Sequence, residues 1–172
     1  ICDHVPPKYQ SEFGDYSDMF AALFPEFDWH LFDLVNGDFP EDLSEFDLFM
    51  ATGSRHSAYE DLNWINRIKE LIREIYQLEK YFVGFCFGHQ LLGAALGGKV
   101  EKSSNGWCVG IHEFEISERR DWMSPFQNSV NLLMMCQDQV VQLPKKASVL
   151  GGNEKCLTPK LQIPNDKLYL VL

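Results

Sequence analysis

The sequence predicts an α/β sandwich with a mostly parallel central sheet, and three observations carry that expectation. Leu62, Ile65, Ile68, Leu71, Ile72, Ile75 and Leu78 recur at helical spacing, giving one apolar stripe with charges on the opposite face. Tyr81-Phe82-Val83-Gly84-Phe85 is short and almost wholly apolar, which suits a strand covered on both faces. Helical and strand patterns alternate around these two segments, the order that builds helices against a sheet.

The other elements follow from the same periodicities. Tyr16, Met19, Phe20, Leu23 and Phe24 share a helical face. His30-Leu31-Phe32-Asp33-Leu34-Val35 reads as a strand closed by the turn residues Asn36-Gly37-Asp38, and Asp47 to Thr52 reads as another ending at Gly53-Ser54. His89 to Leu96 reads as a helix stopped by Gly97-Gly98. Strands are expected over 108–116, 131–136, 147–150 and 167–172. With no repeat, low-complexity stretch or Gly/Ser linker, residues 1–172 are expected to form a single domain. Ligands in such folds bind at the carboxyl ends of the strands, so Gly53-Ser54 and Cys86 are expected to be neighbours.

Composition narrows the function. Hydrophobic residues make up 45% and charged residues 23% of 172, ordinary for a globular protein with a sizeable core. The formal charge of −10 repels phosphate backbones, so no nucleic-acid partner is expected. The acidic run Pro40 to Asp47 is read as solvated surface. No apolar run reaches the roughly 20 residues of a membrane helix, and Ile1-Cys2-Asp3-His4 has no signal-peptide character. The five cysteines, Cys2, Cys86, Cys108, Cys136 and Cys156, are odd in number and lack metal-ligand spacing. That pattern fits a reducing cytoplasm, with no metal and no organic cofactor.

The chemistry concentrates at Cys86. An apolar strand runs into it, a helix follows at once, and Gly84 and Gly88 stand two residues before and after. This is a G-x-nucleophile-x-G elbow with cysteine in place of serine. Glycine on both sides removes the collisions that so tight a turn would cause. The helix N-terminus should favour thiolate over thiol, and its free N–H groups can bind an oxyanion. A bare G-x-C-x-G is read equally well as a buried structural cysteine, because short motifs recur by chance.

The longer segment Gly84-Phe85-Cys86-Phe87-Gly88-His89-Gln90 resembles the nucleophile motif of the class I glutamine amidotransferases, and the likeness continues through Leu91 to Val100. Ala51-Thr52-Gly53-Ser54-Arg55-His56-Ser57 resembles that family's second oxyanion loop. Gly106-Trp107-Cys108-Val109-Gly110 resembles its G-W-x-x-G segment, and Cys136-Gln137-Asp138-Gln139-Val140 its H-x-D-x-V segment, with Cys136 at the histidine position. The resemblance implies a flavodoxin-like fold. It implies that Cys86 attacks the side-chain carbonyl of glutamine or a γ-glutamyl compound, giving a γ-glutamyl thioester. Backbone amides of Phe87 and of Gly53 or Ser54 would hold the oxyanion, and Gln90 would help position the substrate. His89 is read as structural and His56 as a candidate substrate contact.

The pattern departs from the family in one respect. The base is expected to be a histidine in a G-H-P-E motif, and none occurs here; Lys167 to Leu172 resembles the strand that runs into it. Ile1-Cys2-Asp3-His4 resembles the tail of a first strand, so the domain is expected to be incomplete at both ends. The leading expectation is release of ammonia from glutamine, to water or to a separate synthase subunit. Segments 37–40 and 53–61 also resemble γ-glutamyl peptidases, which cleave γ-glutamyl conjugates. A non-catalytic binding module is the third reading, favoured by Cys136 and the missing His-Glu pair and opposed by the intact elbow.

Overall fold

A computed structural model describes residues 1–154, 160–163 and 168–170, the last two stretches by their backbone. Nine strands and four α-helices are defined among them. Helix α1 (Pro7–Phe13) opens on proline, whose fixed φ suits a first turn. Helix α2 (Tyr16–Leu23) opens on Asp15, which with Asp18 forms a reciprocal capping box. Strand β1 (Leu48–Ala51), helix α3 (Asn63–Gln77), strand β2 (Tyr81–Gly84) and helix α4 (Phe87–Ala95) follow in order. Then come β3 (Lys99–Lys102), β4 (Cys108–Ile116), β5 (Ser129–Cys136), β6 (Asp138–Gln142), β7 (Ser148–Gly152), β8 (Lys160–Ile163) and β9 (Leu168–Leu170).

Seven strands form one sheet in the order β1-β2-β9-β8-β7-β4-β5, and β3 pairs with β6 separately. Strands β1, β2 and β9 are parallel. The pairings of β9 with β8, β8 with β7, β7 with β4 and β4 with β5 are antiparallel. The sheet is therefore mixed, a correction to the mostly parallel one expected. The reason lies in the side chains. In β4, buried Cys108 and Phe114 are separated by exposed Val109, Ile111 and Glu113. A strand buried on one face only fits an antiparallel ladder, whereas parallel strands need cover on both faces.

The core sits where the helical stripe predicted it. Ile65, Ile68, Leu71, Ile72 and Ile75 of α3 are buried with Phe87, Leu91 and Leu92 of α4, Phe82 of β2 and Ala51 of β1. Each of the Ile, Leu and Phe side chains contributes about 1.5–3 kcal/mol on burial. Leu78 lies past the end of α3 and is 52% exposed, so the stripe is one residue shorter than read.

Two further expectations change. His30 to Val35 contains no strand; Leu34–Asn36 is a single 3-10 turn, followed by the expected glycine at Gly37. Ile1 exchanges two backbone bonds with this segment, donating to Phe32 O and accepting from Leu34 N. The aromatic rings of His30 and Phe32 pack edge-on against Phe46, which also meets Phe49, so ring packing rather than a ladder holds the segment. The cysteines also divide. Cys2, Cys86 and Cys136 are reduced, whereas Cys108 is disulfide-bonded, contrary to the reading of five reduced cysteines. Cys156 lies outside the described residues. No helix among the described residues is long and apolar enough to cross a membrane.

Candidate functional site

The elbow is as tight as its glycines imply. A Cβ on Gly84 would lie 2.5 Å from the Gly88 carbonyl carbon and 2.6 Å from His89 N. One on Gly88 would lie 2.6 Å from Ala51 O. Real side chains do not approach backbone so closely, so these two positions admit only glycine. Between them Cys86 is held at φ 50°, ψ −101°. A non-glycine residue there costs on the order of 1–3 kcal/mol, which the surrounding structure must offset.

That structure is a set of backbone bonds to β1 and the loop after it. Phe85 N donates to Ala51 O at 2.9 Å, and Gly88 N donates to Thr52 O at 3.2 Å. Inside the turn Gln90 N donates to Cys86 O at 3.1 Å. The loop is fastened from its other side as well. Thr52 Oγ1 accepts from Cys2 N at 2.9 Å. Arg55 grips Asp3 through its backbone N, Nε and Nη2 at 2.7 to 2.8 Å. As a result Gly53 stands directly across from the nucleophile: a Cβ placed on it would lie only 3.6 Å from Cys86 Cβ. The expected juxtaposition of Gly53 and Cys86 is thus realised. Ser54 continues the loop, its Oγ accepting from His56 N.

The thiol is half-buried, and its electrostatics differ from the expectation. Burial pushes the Cys86 thiol above its ordinary range, the Phe87 N–H bonded to it pulls the other way, and the charge of Asp138 adds to the rise. Desolvation therefore outweighs the helix N-terminus in the free protein, a correction to the acidified sulfur that the elbow suggested. Phe87 is the first residue of α4, so its N–H belongs to the free N-terminal set that can donate to an oxyanion formed at Cys86.

The remaining candidates are accounted for one by one. Gln90 is 5% exposed, and its Nε2 donates to Asp138 O at 3.0 Å, tying α4 to β6. His89 is fully buried, and neither ring nitrogen has a partner among the described residues; burial lowers its pKa to about 4, so it stays neutral. His56 bonds Glu60 through Nδ1 and packs edge-on against Trp64, which in turn meets Phe87. His4 bridges Asp15 and Asp33, His112 bonds Val109 O, and His30 meets Phe46. None of these contacts includes Cys86. Cys136 pairs in register with Cys108, and Cys86 packs against the cluster those two form with Phe114 and Met134. Among the described residues no three His, Cys, Asp or Glu side chains converge as metal ligands.

Two features of the site escape a sequence reading. The Asp3–Arg55 clamp carries no local signal, because its halves are far apart in the chain. Asp138 stands in the segment that resembles H-x-D-x-V, yet its approach to Cys86 depends on how β6 packs beside α4. A cavity of about 520 Å³ lies elsewhere, lined by Phe32, Phe49, Ile72 and other apolar groups beside β1. It does not include Cys86, and an apolar lining suits a charged amino acid poorly.

Comparison with known proteins agrees with this geometry. The sequence model of the family "Glutamine amidotransferase class-I" matches residues 45–167. Gamma-glutamyl peptidase 3 of Arabidopsis thaliana is 30% identical over 154 residues, which are 84% of this chain and 62% of that protein. One subunit of the glutamine-hydrolyzing GMP synthase of Saccharolobus solfataricus is 27% identical over 113 residues, 66% of this chain and 58% of that protein. A glutamine amidotransferase crystal structure from Thermotoga maritima superposes with a TM-score of 0.81 at 25% identity, covering 89% of this chain and 67% of that one. This chain spans about three fifths of the curated relatives' length. The chain belongs to the class I glutamine amidotransferase family.

Proposed function

We propose that this member of the family hydrolyses a γ-glutamyl amide bond through a γ-glutamyl thioester on Cys86, with γ-glutamyl conjugates as the preferred substrates. The observation that carries the reading is the strained Cys86 at the elbow, facing Gly53 across a gap of van der Waals width. A cysteine held at that conformational cost, at the N-terminus of a helix, suits nucleophilic acyl transfer.

In the proposed reaction the Cys86 sulfur adds to the γ-carbonyl carbon. The developing oxyanion is held by Phe87 N–H and by an amide of Gly53 or Ser54. Collapse expels the amine and leaves the thioester, which water cleaves to glutamate. Gln90 serves by holding α4 against β6, so that the pocket wall keeps its place. The thiol proton needs an acceptor; His4, His30, His56 and His112 contact other groups, and His89 is fully buried. The resemblance assigns that task to the histidine of a G-H-P-E motif following a strand such as β9.

The likeness to gamma-glutamyl peptidase 3 covers 84% of the chain and favours conjugates over free glutamine. A second reading, glutamine as substrate with ammonia passed to a separate synthase chain, draws on the likeness to a GMP synthase subunit. Both share the acyl half of the reaction and differ only in the leaving amine. The test is to compare, in the full-length protein, ammonia release from glutamine with amino-acid release from γ-glutamyl dipeptides. Faster turnover of the dipeptides is expected; activity on glutamine alone would move the assignment to the second reading.

A further inference from the structure

A nucleophilic thiol is open to oxidation, and the cluster against which Cys86 packs contains a second thiol. In β5 alternate residues face inward: Val130 and Leu132 are half-buried, and Met134 and Cys136 are buried. Cys136 is the last residue of β5 and stands opposite Cys108 in the β4–β5 register, so the two side chains lie on one face of the ribbon. Cys86 packs against the cluster that these two form with Phe114 and Met134. The charge of Asp138, two residues past Cys136, reaches the Cys86 sulfur. The end of β5 and the start of β6 are therefore the part of this ribbon that meets the elbow.

The cysteines differ in state. Cys86 and Cys136 are reduced, and Cys108 is already disulfide-bonded. Cys136 is thus the reduced thiol of the cluster against which Cys86 packs. Cys2 is also reduced, but it bonds Thr52, and burial pushes its pKa up to about 11, which keeps it a thiol. The cysteines differ in exposure as well. Cys86 is half-buried, whereas Cys136 is 8% exposed. A small oxidant entering the site meets Cys86 first. An accessible thiol with a second thiol beside it is the arrangement in which one sulfur is oxidised and the other resolves it. Cys136 stands where the H-x-D-x-V segment has histidine, so the pairing is a property of this chain.

We propose that Cys136 resolves oxidised Cys86, giving a Cys86–Cys136 disulfide that silences the nucleophile reversibly. The oxidant is hydrogen peroxide. The Cys86 thiolate attacks one peroxide oxygen, the O–O bond breaks, and hydroxide leaves and takes up a proton as water. The sulfur, oxidised by two electrons, is then a sulfenic acid. The Cys136 thiolate attacks that sulfur. The S–S bond forms, the S–O bond breaks, and the departing hydroxide takes up the Cys136 proton as a second water. Two thiols and one peroxide thus give one disulfide and two waters. A dithiol reverses the step by exchange. Without Cys136, further peroxide carries the sulfenic acid to sulfinic acid, which thiols do not reduce. The loss of turnover rests on the function assigned to Cys86 above; the bond itself does not.

For the test, the full-length protein is treated with hydrogen peroxide, capped with iodoacetamide and digested without reductant, and its peptides are read by mass spectrometry. A linked pair of the Cys86 and Cys136 peptides is expected, growing in as turnover of a γ-glutamyl dipeptide falls. Dithiothreitol should dissolve the pair and restore at least about half of the lost turnover. In Cys136→Ala the same treatment should leave Cys86 as sulfinic acid, with less than about a tenth restored. The proposal is overturned if the parent protein shows Cys86 only as sulfinic or sulfonic acid, linked to a different cysteine, or still capped by iodoacetamide. Full recovery of Cys136→Ala in dithiothreitol would overturn it too. The linked pair is read in the parent protein, so the test survives a Cys136→Ala chain that does not fold. If the pair forms in protein that turns over neither glutamine nor the dipeptide, the pairing stands and the function assigned to Cys86 fails.

Discussion

The elbow and the β4–β5 hairpin both contain a pair of closely spaced glycines, and the two pairs do opposite things. Gly84 and Gly88 leave room: a Cβ on either would collide with backbone at 2.5 to 2.6 Å. Gly106 and Gly110 turn the chain: they have φ of 77° and 101°, and a Cβ on either would meet nothing within 4 Å. The first pair lets a strand and a helix approach until only backbone separates them. The second merely lets the chain adopt left-handed conformations at the start of a one-sided ribbon. Proximity is what the nucleophile needs, because it brings the Gly53 loop across from Cys86. The hairpin supplies instead an apolar cluster, Cys108, Phe114, Met134 and Cys136, against which the nucleophile packs.

Substitutions should separate the two roles. Gly88→Ala is expected to cost roughly 3 kcal/mol or more in a urea titration, because β1 and α4 must part to admit the methyl group. Gly110→Ala should cost only about 1–2 kcal/mol, the conformational penalty alone. A cost for Gly110→Ala as large as that for Gly88→Ala would erase the distinction. Leu133, which is 81% exposed on the open face of the hairpin, should tolerate serine within about 0.5 kcal/mol.

A smaller effect depends on pH and tests how the Gly53 loop is anchored from the N-terminal side. Asp15 and then Asp33 bond the His4 ring and raise its pKa above the ordinary value. The protonated ring is favoured in the folded state, so its contribution is fully present below about pH 6.5. It fades as pH rises through the raised folded value. Thermal unfolding followed from pH 6 upward should therefore show a decline that His4→Gln removes. An unchanged slope in that variant would show that the bridge contributes nothing.

The same contrast explains what was legible in the sequence. The elbow could be read because its requirement is local: glycines two residues either side of Cys86, an apolar strand before and a helix after. Helix α3 was legible for the same reason, since its stripe from Ile65 to Ile75 is a periodic local signal. The hairpin strands were found, but their direction was not, because alternation within a strand fixes burial and leaves pairing to the rest of the sheet. His30 to Val35 has strand composition, yet its rings pack on Phe46. The state of the Cys86 thiol was least legible. It depends on burial and on Asp138, neither of which is a property of residues 84–90.

The central claim is that Cys86 attacks the γ-carbonyl and carries the acyl group. The direct measurement is acid-quenched mass spectrometry of the full-length protein during turnover of a γ-glutamyl dipeptide, beside the Cys86→Ala variant. A γ-glutamyl adduct is expected on the peptide containing Cys86, with a fall in turnover of about 1,000-fold or more in the variant. Turnover that persists in Cys86→Ala, or an adduct on a different residue, would contradict the claim.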